Sequence, residues 1–497
     1  MPPLTHVAFA LAGGLAGFLW HRLDLHSRAA RRYRQLTTGS VSGVRVVVVG
    51  GGFAGLAAAT TLGRAGLFGA PVVPTLVDHH NFNTWSPLLY QVVTGSVDPS
   101  RVDYPLRLAG RDHGFLFREA ELTGVDFDRN VVRLDDGDLP YDYLILALGS
   151  VPNYFGLADV AEQALPLKWG GKAVAIHNRV IEAFERADVE PSADRRRALL
   201  TICVVGAGAT GIGLIGSLHD LISETLLPQY PRLDPSEVSL VLVEARDHFL
   251  DGSPRKMSDL AREHFARLRS PSVDVRLGAC VAGASAGTLL FADGSRLRSA
   301  TIIWTAGVRA NPLAESVDAD RARDGRVIVG ADLALPRHPE VFVVGDLASV
   351  TEPASRRPLP PNAQVAIQTG RAAAENVLRR VRGQPARAFR YRDYGDAVPI
   401  GSDKAVAVIG GVVLDGLLAH LVRRGIYVRN LVGVKNRLGV LLDWAAEITG
   451  RRNIVEFEGP HPAISGQFAE EARPLERPLV CPIDEVAPSA GEERRAA

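Results

Sequence analysis

The stretch Val44–Gly55 reads VRVVVVGGGFAG, and the stretch Thr201–Gly211 reads TICVVGAGATG. In each, a short run of β-branched and apolar residues predicts a buried strand, and a GxGxxG pattern then opens a helix. The first glycine permits a tight turn, the second lets a pyrophosphate approach the backbone, and the third lets the helix pack on the strand. One such motif is a weak signal, but two in the same context predict two dinucleotide-binding units.

The residues of these two turns are candidate phosphate-binding residues, because the first N–H groups and the dipole of a helix attract anions. The first set is Gly50, Gly52, Phe53, Ala54 and Gly55, and the second is Gly206, Gly208 and Gly211. Two bound redox dinucleotides on one chain imply electron transfer.

An acidic residue follows the second predicted strand of each unit. Asp78 follows the predicted strand Val72 to Val77, and Glu244 follows the predicted strand Val238 to Val243. Such an acid binds the ribose hydroxyls of a dinucleotide, although a solvated acid at a strand end is the alternative. Glu244 would repel a 2′-phosphate and so favours NADH over NADPH, whereas the nearby Arg246 could accept that phosphate.

Length and composition indicate a large folded protein. At 497 residues, with 46% hydrophobic residues, the chain is long enough for two or three domains. With a net charge of +1, the chain has no strong positive electrostatic field that would attract nucleic acid, so no nucleic-acid partner is expected. Cys203, Cys280 and Cys481 lie far apart, which supports neither a local redox dithiol nor a zinc site, and no metal is expected.

The N-terminal segment is unlike the rest of the chain. His6 to Trp20 is largely apolar, and the basic residues that follow it are Arg22, Arg28, Arg31, Arg32 and Arg34. The apolar run is short for a membrane span of about 20 residues. It fits a helix in the membrane interface with its arginines on the cytoplasmic side, or a loosely packed extension.

Several further segments resemble the type II NADH dehydrogenases, the non-proton-pumping NADH:quinone oxidoreductases, which are flavoproteins with two dinucleotide-binding domains. The resemblance covers roughly residues 43 to 455. Besides the glycine turns, it rests on PLLYQV at Pro87–Val92, LGS at Leu148–Ser150, WTAGV at Trp304–Val308, VVGD at Val343–Asp346 and AQVAIQ at Ala363–Gln368.

The resemblance implies an α/β fold with two Rossmann-like domains, the FAD domain being interrupted by the NADH domain, plus a C-terminal membrane-associating helical region. Its implied boundaries are an N-terminal extension at 1–42, an FAD domain at 43–166 and 326–388, an NADH domain at 167–325, a membrane-associating region at 389–457 and a largely disordered tail at 458–497.

The resemblance also implies roles for individual residues. FAD would contact the first turn, Asp78, Gly149, Asp346, Ala363, Gln364 and Val365, and NADH would contact the second turn, Glu244, Ala306 and Gly307. Gln364 and Gln368 are four residues apart on one helix face, and their amides would serve catalysis beside the flavin and the quinone. The alternative for both is a pair of surface glutamines.

Two departures from the family pattern affect the predicted function. The second turn normally continues as G-V-E, but here it reads Gly211-Ile212-Gly213, and the family's QQG is changed at Thr369. An NADH:quinone oxidoreductase is the first hypothesis. A related flavoprotein with another donor or acceptor, such as a sulfide:quinone reductase or an apoptosis-inducing-factor-like oxidoreductase, and an NADH-responsive redox sensor remain alternatives.

The segment from Gly411 to Arg452 has leucines at helical spacing, Trp444, and seven basic residues against three acidic ones. A basic amphipathic helix pair is typical of a surface that lies on anionic lipid. Packing on the core or in a dimer interface is the alternative, and a homodimer stays open. We therefore expect a peripheral protein on the cytoplasmic face of the cell inner membrane.

Overall fold

The computed structural model describes residues 24–352, 356–448, 452–458 and 480–482. The apolar segment His6 to Trp20 lies outside these residues. The chain forms two compact units: the first takes residues up to 83, 104–151 and 309–393, and the second takes 84–103, 152–308 and 394 onward. These boundaries at 151/152 and 308/309 precede the predicted ones at 166/167 and 325/326.

A five-stranded parallel sheet forms the core of the first unit. Its strand order is Val341–Val343, Tyr143–Leu146, Val44–Val49, Val72–Asp78 and Leu116–Glu119. Valine, leucine and isoleucine dominate these strands because helices cover a parallel sheet on both faces. The Val341–Val343 strand, far along the chain, pairs beside Tyr143–Leu146, so this sheet takes strands from both sides of the second unit.

Helices and smaller sheets complete the first unit. Its helices are 24–37, Phe53–Leu67, Leu106–His113 and Ala363–Val381, with 3₁₀ turns at Pro312–Ser316 and Gly345–Leu347. Its remaining strands are the antiparallel set Leu122–Asp126, Val131–Leu134 and Leu139–Pro140, and the parallel pair Val327–Ile328 and Ala348–Ser349.

The second unit repeats the same architecture. Its five-stranded parallel sheet has the order Leu165–Pro166, Thr301–Trp304, Thr201–Val205, Ser239–Glu244 and Val273–Leu277. The inward side chains of these strands form a buried apolar core that includes Cys203, Val243 and Trp304. The predicted α/β class with two Rossmann-like parallel sheets is thereby confirmed.

Further helices and strands surround this second sheet. The helices are Leu89–Val93, Ala158–Gln163, Gly170–Val189, Ala193–Leu199, Ala209–Leu221 with a π-turn at Ile222–Leu226, Arg255–Arg267, Gly416–Asn430 and Val434–Glu447. Short 3₁₀ turns lie at Ser86–Leu88, Pro99–Arg101, Leu227–Gln229 and Pro235–Glu237. Two antiparallel sheets contain Val281–Ser285, Thr288–Phe291 and Arg296–Arg298, and Asp396–Pro399, Ala405–Ile409 and Val412–Asp415. Where the chain passes between units, short strands occur at Phe82–Thr84, Asp103–Pro105, Ser150–Pro152 and Val308–Ala310.

The helical interpretation of the C-terminal segment is wrong at its start. Leu414 lies in the strand Val412–Asp415, which pairs with Ala405–Ile409. Gly410 and Gly411 connect these strands and have φ angles of +56° and +83°. Two consecutive left-handed residues form the tight turn that a two-residue hairpin requires, and a glycine pair adopts it without steric cost. Within the described part of the chain, no helix is both long and apolar enough to cross a membrane.

Candidate functional site

The glycine turn of the first unit leaves open space above the start of the Phe53–Leu67 helix. Gly50 has a φ of +105°, and a Cβ at Gly55 would lie 1.7 Å from the Gly50 carbonyl oxygen, so both positions require glycine. At Gly52, by contrast, no atom of the described residues lies within 4 Å of an added Cβ. The backbone is therefore exposed where a pyrophosphate would approach the helix N-terminus.

The turn of the second unit has the same geometry. Gly206 has a φ of +104°, and a Cβ at Gly211 would lie 1.9 Å from the Gly206 carbonyl oxygen. An added Cβ at Gly208 meets nothing within 4 Å among the residues that the structure describes. In each turn, the backbone conformation or close packing requires glycine at the first and third positions, whereas the middle glycine faces open space.

The acidic residue after the second strand is bonded in the same way in both units. The Asp78 carboxylate accepts N–H groups from Gly51, at 2.5 Å, and His80, at 2.7 Å. The Glu244 carboxylate accepts N–H groups from Ala207, at 2.7 Å, and from the residue two positions later, at 3.0 Å. A carboxylate offers about four acceptor positions, so each acid can hold its turn in place and still bind ribose hydroxyls.

The side chain of Arg246 is engaged by a carboxylate. Its guanidinium lies 2.5 Å from Asp251, and both side chains are about half exposed. A bound 2′-phosphate would compete with Asp251 for this guanidinium and would also face Glu244. The geometry therefore favours the predicted preference for NADH.

A second group of predicted flavin contacts meets at the start of the Ala363–Val381 helix. Asn362 caps this helix by accepting the Val365 N–H at 2.9 Å. Thr369, fully buried, accepts the Gly345 N–H at 3.1 Å. The threonine that replaces a family glutamine thus ties this helix to the loop that carries Asp346.

Asp346 itself is held by the loop that contains Gly149. The Ser150 hydroxyl donates to its carboxylate at 2.6 Å. Gly149 has a φ of +67°, which favours glycine. Farther along the Ala363–Val381 helix, a Cβ at Gly370 would lie 2.1 Å from the Ala54 carbonyl oxygen, so this helix packs directly on the helix of the first glycine turn.

The two predicted catalytic glutamines lie one turn apart on the Ala363–Val381 helix. Gln368 exchanges two hydrogen bonds with the backbone of Arg392, through Nε2 at 2.9 Å and Oε1 at 3.0 Å. Its amide therefore fixes the chain that follows the helix. Gln364 lies half-buried one turn nearer the helix start, beside Ala363.

Residues Ala306 and Gly307 lie at the carboxyl edge of the second sheet. The Thr305 hydroxyl donates to the Gly206 carbonyl at 3.0 Å, and a Cβ at Gly206 would lie 2.6 Å from the Ala306 backbone. The segment after the Thr301–Trp304 strand is therefore in direct contact with the second glycine turn. A small cavity of about 40 Å³ opens here, and its lining includes Gly206, Glu244 and Ala306.

Comparison with known proteins agrees with this geometry. The chain matches the pyridine nucleotide-disulphide oxidoreductase family over residues 44–370. It is 34% identical to the type II NADH:quinone oxidoreductase Ndh of Mycobacterium tuberculosis, covering 82% of this chain and 89% of that protein. It is 28% identical to the Haemophilus influenzae type II NADH:quinone oxidoreductase, covering 73% of this chain and 86% of that protein.

The chain belongs to the type II NADH:quinone oxidoreductase family. Its fold matches that of NDH2 from Plasmodium falciparum in complex with NADH, with a TM-score of 0.75 at 16% identity over 83% of this chain and 99% of that one. The protein is accordingly an oxidoreductase that uses FAD and NADH. Both glycine turns have the open middle position that these dinucleotides need.

Gly213, which stands where the family has a glutamate, is closely packed in this oxidoreductase. Gly213 lies on the Ala209–Leu221 helix, and an added Cβ would lie 2.7 Å from Cγ of Pro399. Three residues later, a Cβ added at Gly216 would lie 2.4 Å from the Ile400 carbonyl oxygen. The glycines let the Asp396–Pro399 strand pack directly on this helix, so the strand occupies the space that a longer side chain would need.

Buried polar contacts that sequence reasoning missed anchor the C-terminal helices of the oxidoreductase. Trp444, predicted to be on a lipid-facing surface, is buried and donates its indole N–H to Gln91 at 2.9 Å. Arg423 is fully buried and donates to the Tyr90 hydroxyl at 2.6 Å. Burial raises the pKa of Tyr90 to about 12, so this hydroxyl is neutral at physiological pH.

The same two helices leave a row of apolar side chains exposed. We call it the apolar face; on the Gly416–Asn430 and Val434–Glu447 helices it consists of Leu417, Leu418, Leu421, Val434, Leu438, Leu441 and Leu442. Exposed apolar residues this concentrated mark a surface that contacts another apolar phase or partner.

Proposed function

We propose that the protein passes electrons from NADH, through FAD, to a membrane quinone without proton pumping. The observation that carries the proposal is the duplicated turn, which in each unit has an open middle glycine and an acidic residue hydrogen-bonded to it. It occurs in a chain of the type II NADH:quinone oxidoreductase family. We assign FAD to the first unit and NADH to the second.

The bound dinucleotides supply the hydride and electron chemistry, and the protein supplies binding and orientation. In the first unit, Gly52 and Asp78 would hold the pyrophosphate and ribose, and Asp346 would bind the flavin's ribityl chain. In the second unit, Gly208 and Glu244 would hold the corresponding parts of NADH. No residue has to act as an acid or a base for the hydride step, so few catalytic residues are needed.

The acceptor side is assigned to the Ala363–Val381 helix. Gln364 and Gln368 are the proposed hydrogen-bonding residues for the flavin ring and the quinone carbonyls. Because the Gln368 amide is bonded to the Arg392 backbone, it would have to exchange those bonds to reach a quinone.

Quinones are lipid-soluble, so the protein needs a surface in contact with the membrane. We assign this role to the apolar face, which makes residues 389–457 the membrane-associating region. Arg429 and Lys435 are exposed on the same helices and suit an anionic headgroup layer. We therefore propose a peripheral protein on the cytoplasmic side of the inner membrane.

A redox sensor on the same scaffold is the second candidate, and the close packing of Gly213 against Pro399 favours it. Anaerobic titration of the purified flavoprotein with NADH, NADPH and sulfide separates the two functions. We expect NADH to bleach the visible flavin band rapidly, NADPH to do so slowly, and a quinone to restore it within one turnover. Slow bleaching with no response to quinone would support the sensor and contradict the oxidoreductase.

A further inference from the structure

A disulfide joins two distant parts of the second unit. Cys280 bonds to Cys481 over 201 positions of sequence, which fixes residues 480–482 against the sheet. Cys203, buried in the Thr201–Val205 strand, has a thiol pKa raised to about 12 by burial and takes no part. The sequence spacing had supported neither a redox dithiol nor this long-range pairing.

The disulfide lies beside the expected adenosine position. Ser239–Glu244 and Val273–Leu277 are neighbouring parallel strands, so Glu244 and the segment before Cys280 share the carboxyl edge of the sheet. The Ala279 N–H donates to the Glu244 carbonyl at 3.0 Å. With the pyrophosphate at Gly208 and the ribose on Glu244, the adenine ring would extend over this edge toward Cys280.

Residues of the tail occupy part of that space. Pro482, which directly follows Cys481, lines the same cavity as Gly206, Glu244 and Cys280. With the disulfide closed, Pro482 therefore stands beside the position expected for the adenosine end of a nucleotide.

We propose that Cys280 and Cys481 form a reversible thiol–disulfide site that controls access of NADH to the second unit. The closed disulfide holds Cys481 and Pro482 over the adenosine position, and reduction releases them. This inference rests on the proposed assignment of NADH to this unit.

The chemistry of the release is an ordinary exchange with an external dithiol. One thiolate of the dithiol attacks a sulfur of the Cys280–Cys481 bond, which forms a mixed disulfide and releases the other cysteine as a thiol. The second thiol of the dithiol then attacks the mixed disulfide and releases the remaining cysteine. The protein gains two electrons and two protons as two thiols, and the dithiol is oxidised to its own disulfide. A disulfide on the cytoplasmic side is typically transient and redox-sensing rather than structural.

The test compares three forms of the full-length flavoprotein: air-oxidised wild type, wild type reduced with dithiothreitol, and Cys481→Ser. Non-reducing peptide mapping should find the Cys280–Cys481 linkage only in the first. The apparent Kd for NADH should be at least ten-fold lower in the second and third forms. A Cys203→Ala variant is the control and should respond to oxidation as the wild type does.

A second measurement does not depend on electron transfer. ADP-ribose should slow alkylation of Cys280 by iodoacetamide in Cys481→Ser, because the nucleotide covers that thiol. Absence of the linkage after oxidation, or equal apparent Kd values for NADH in the oxidised wild type and Cys481→Ser, would overturn the inference. If ADP-ribose protects Cys280 but NADH reduces no flavin in any form, the proposed function fails while the nucleotide site stands.

Discussion

Replacing leucines of the apolar face should detach the protein from membranes without unfolding it. The quadruple variant changes Leu417, Leu418, Leu438 and Leu442 to glutamine. These side chains are between 56% and 69% exposed, so the substitutions remove no core packing. A deletion after Gly410 is less informative, because it would also remove Trp444 and uncover its partners.

The expected loss of membrane affinity follows from the exposed area. Full burial of a leucine side chain contributes about 1.5–3 kcal/mol. About three-fifths of each side chain is exposed, so entry into lipid would contribute ~0.9–1.8 kcal/mol per leucine. Four leucines then contribute about 4–7 kcal/mol if all enter the lipid. Since each 1.4 kcal/mol is a factor of ten, vesicle binding should weaken by about 10³-fold or more.

Flotation with vesicles of mixed anionic and zwitterionic lipid measures the binding. Reduction of a water-soluble acceptor by NADH should be unchanged in the variant, whereas reduction of a quinone dissolved in the vesicles should fall in proportion to binding. Val189→Gln is a matched control for a single Leu442→Gln change, because Val189 is also highly exposed but lies on the Gly170–Val189 helix.

Two results would refute this account. One is a quadruple variant that still floats with vesicles and reduces the dissolved quinone at the wild-type rate. The other is a change in oligomeric state, measured by light scattering, with no change in vesicle binding. The second result would assign the apolar face to an interface between two copies of the chain.

Three further predictions concern the second unit. Gly208→Ala should leave the Tm of the nucleotide-free protein unchanged and weaken NADH binding. Gly211→Ala should lower the Tm by several degrees, because its Cβ would lie 1.9 Å from a carbonyl oxygen. Calorimetry and an NADH titration distinguish the two variants. Glu244→Gln should narrow the NADH-to-NADPH ratio of kcat/KM by ~10-fold, since a charged hydrogen bond contributes about 1.5–3 kcal/mol, and an unchanged ratio would remove Glu244 from the site. Gly213→Glu should lower the free energy of unfolding by about 1–3 kcal/mol, because the longer side chain overpacks against Pro399. A variant with unchanged stability and faster quinone turnover would contradict this prediction.

The two parallel sheets could be predicted because their signals are local. The Val44–Val49 and Thr201–Val205 strands begin and end as expected, since each is a β-branched run closed by a glycine turn. Asp78 and Glu244 could be found for the same reason: the end of a strand beside a glycine turn fixes where an acid must be. The Gly410–Gly411 pair is also a local signal: it permits the tight turn before Val412–Asp415, which interrupts the leucine spacing that predicts a helix.

The fold class, the two glycine turns and the acids beside them could thus be predicted from short segments, since they depend on neighbouring residues. The remaining contacts depend on folding, because their partners lie far apart along the chain. Trp444 and Gln91 are separated by 353 positions, and Cys280 and Cys481 by 201. No local periodicity predicts such a pairing. A tryptophan expected at the lipid surface is buried, and two cysteines far apart in sequence are bonded beside the proposed NADH site.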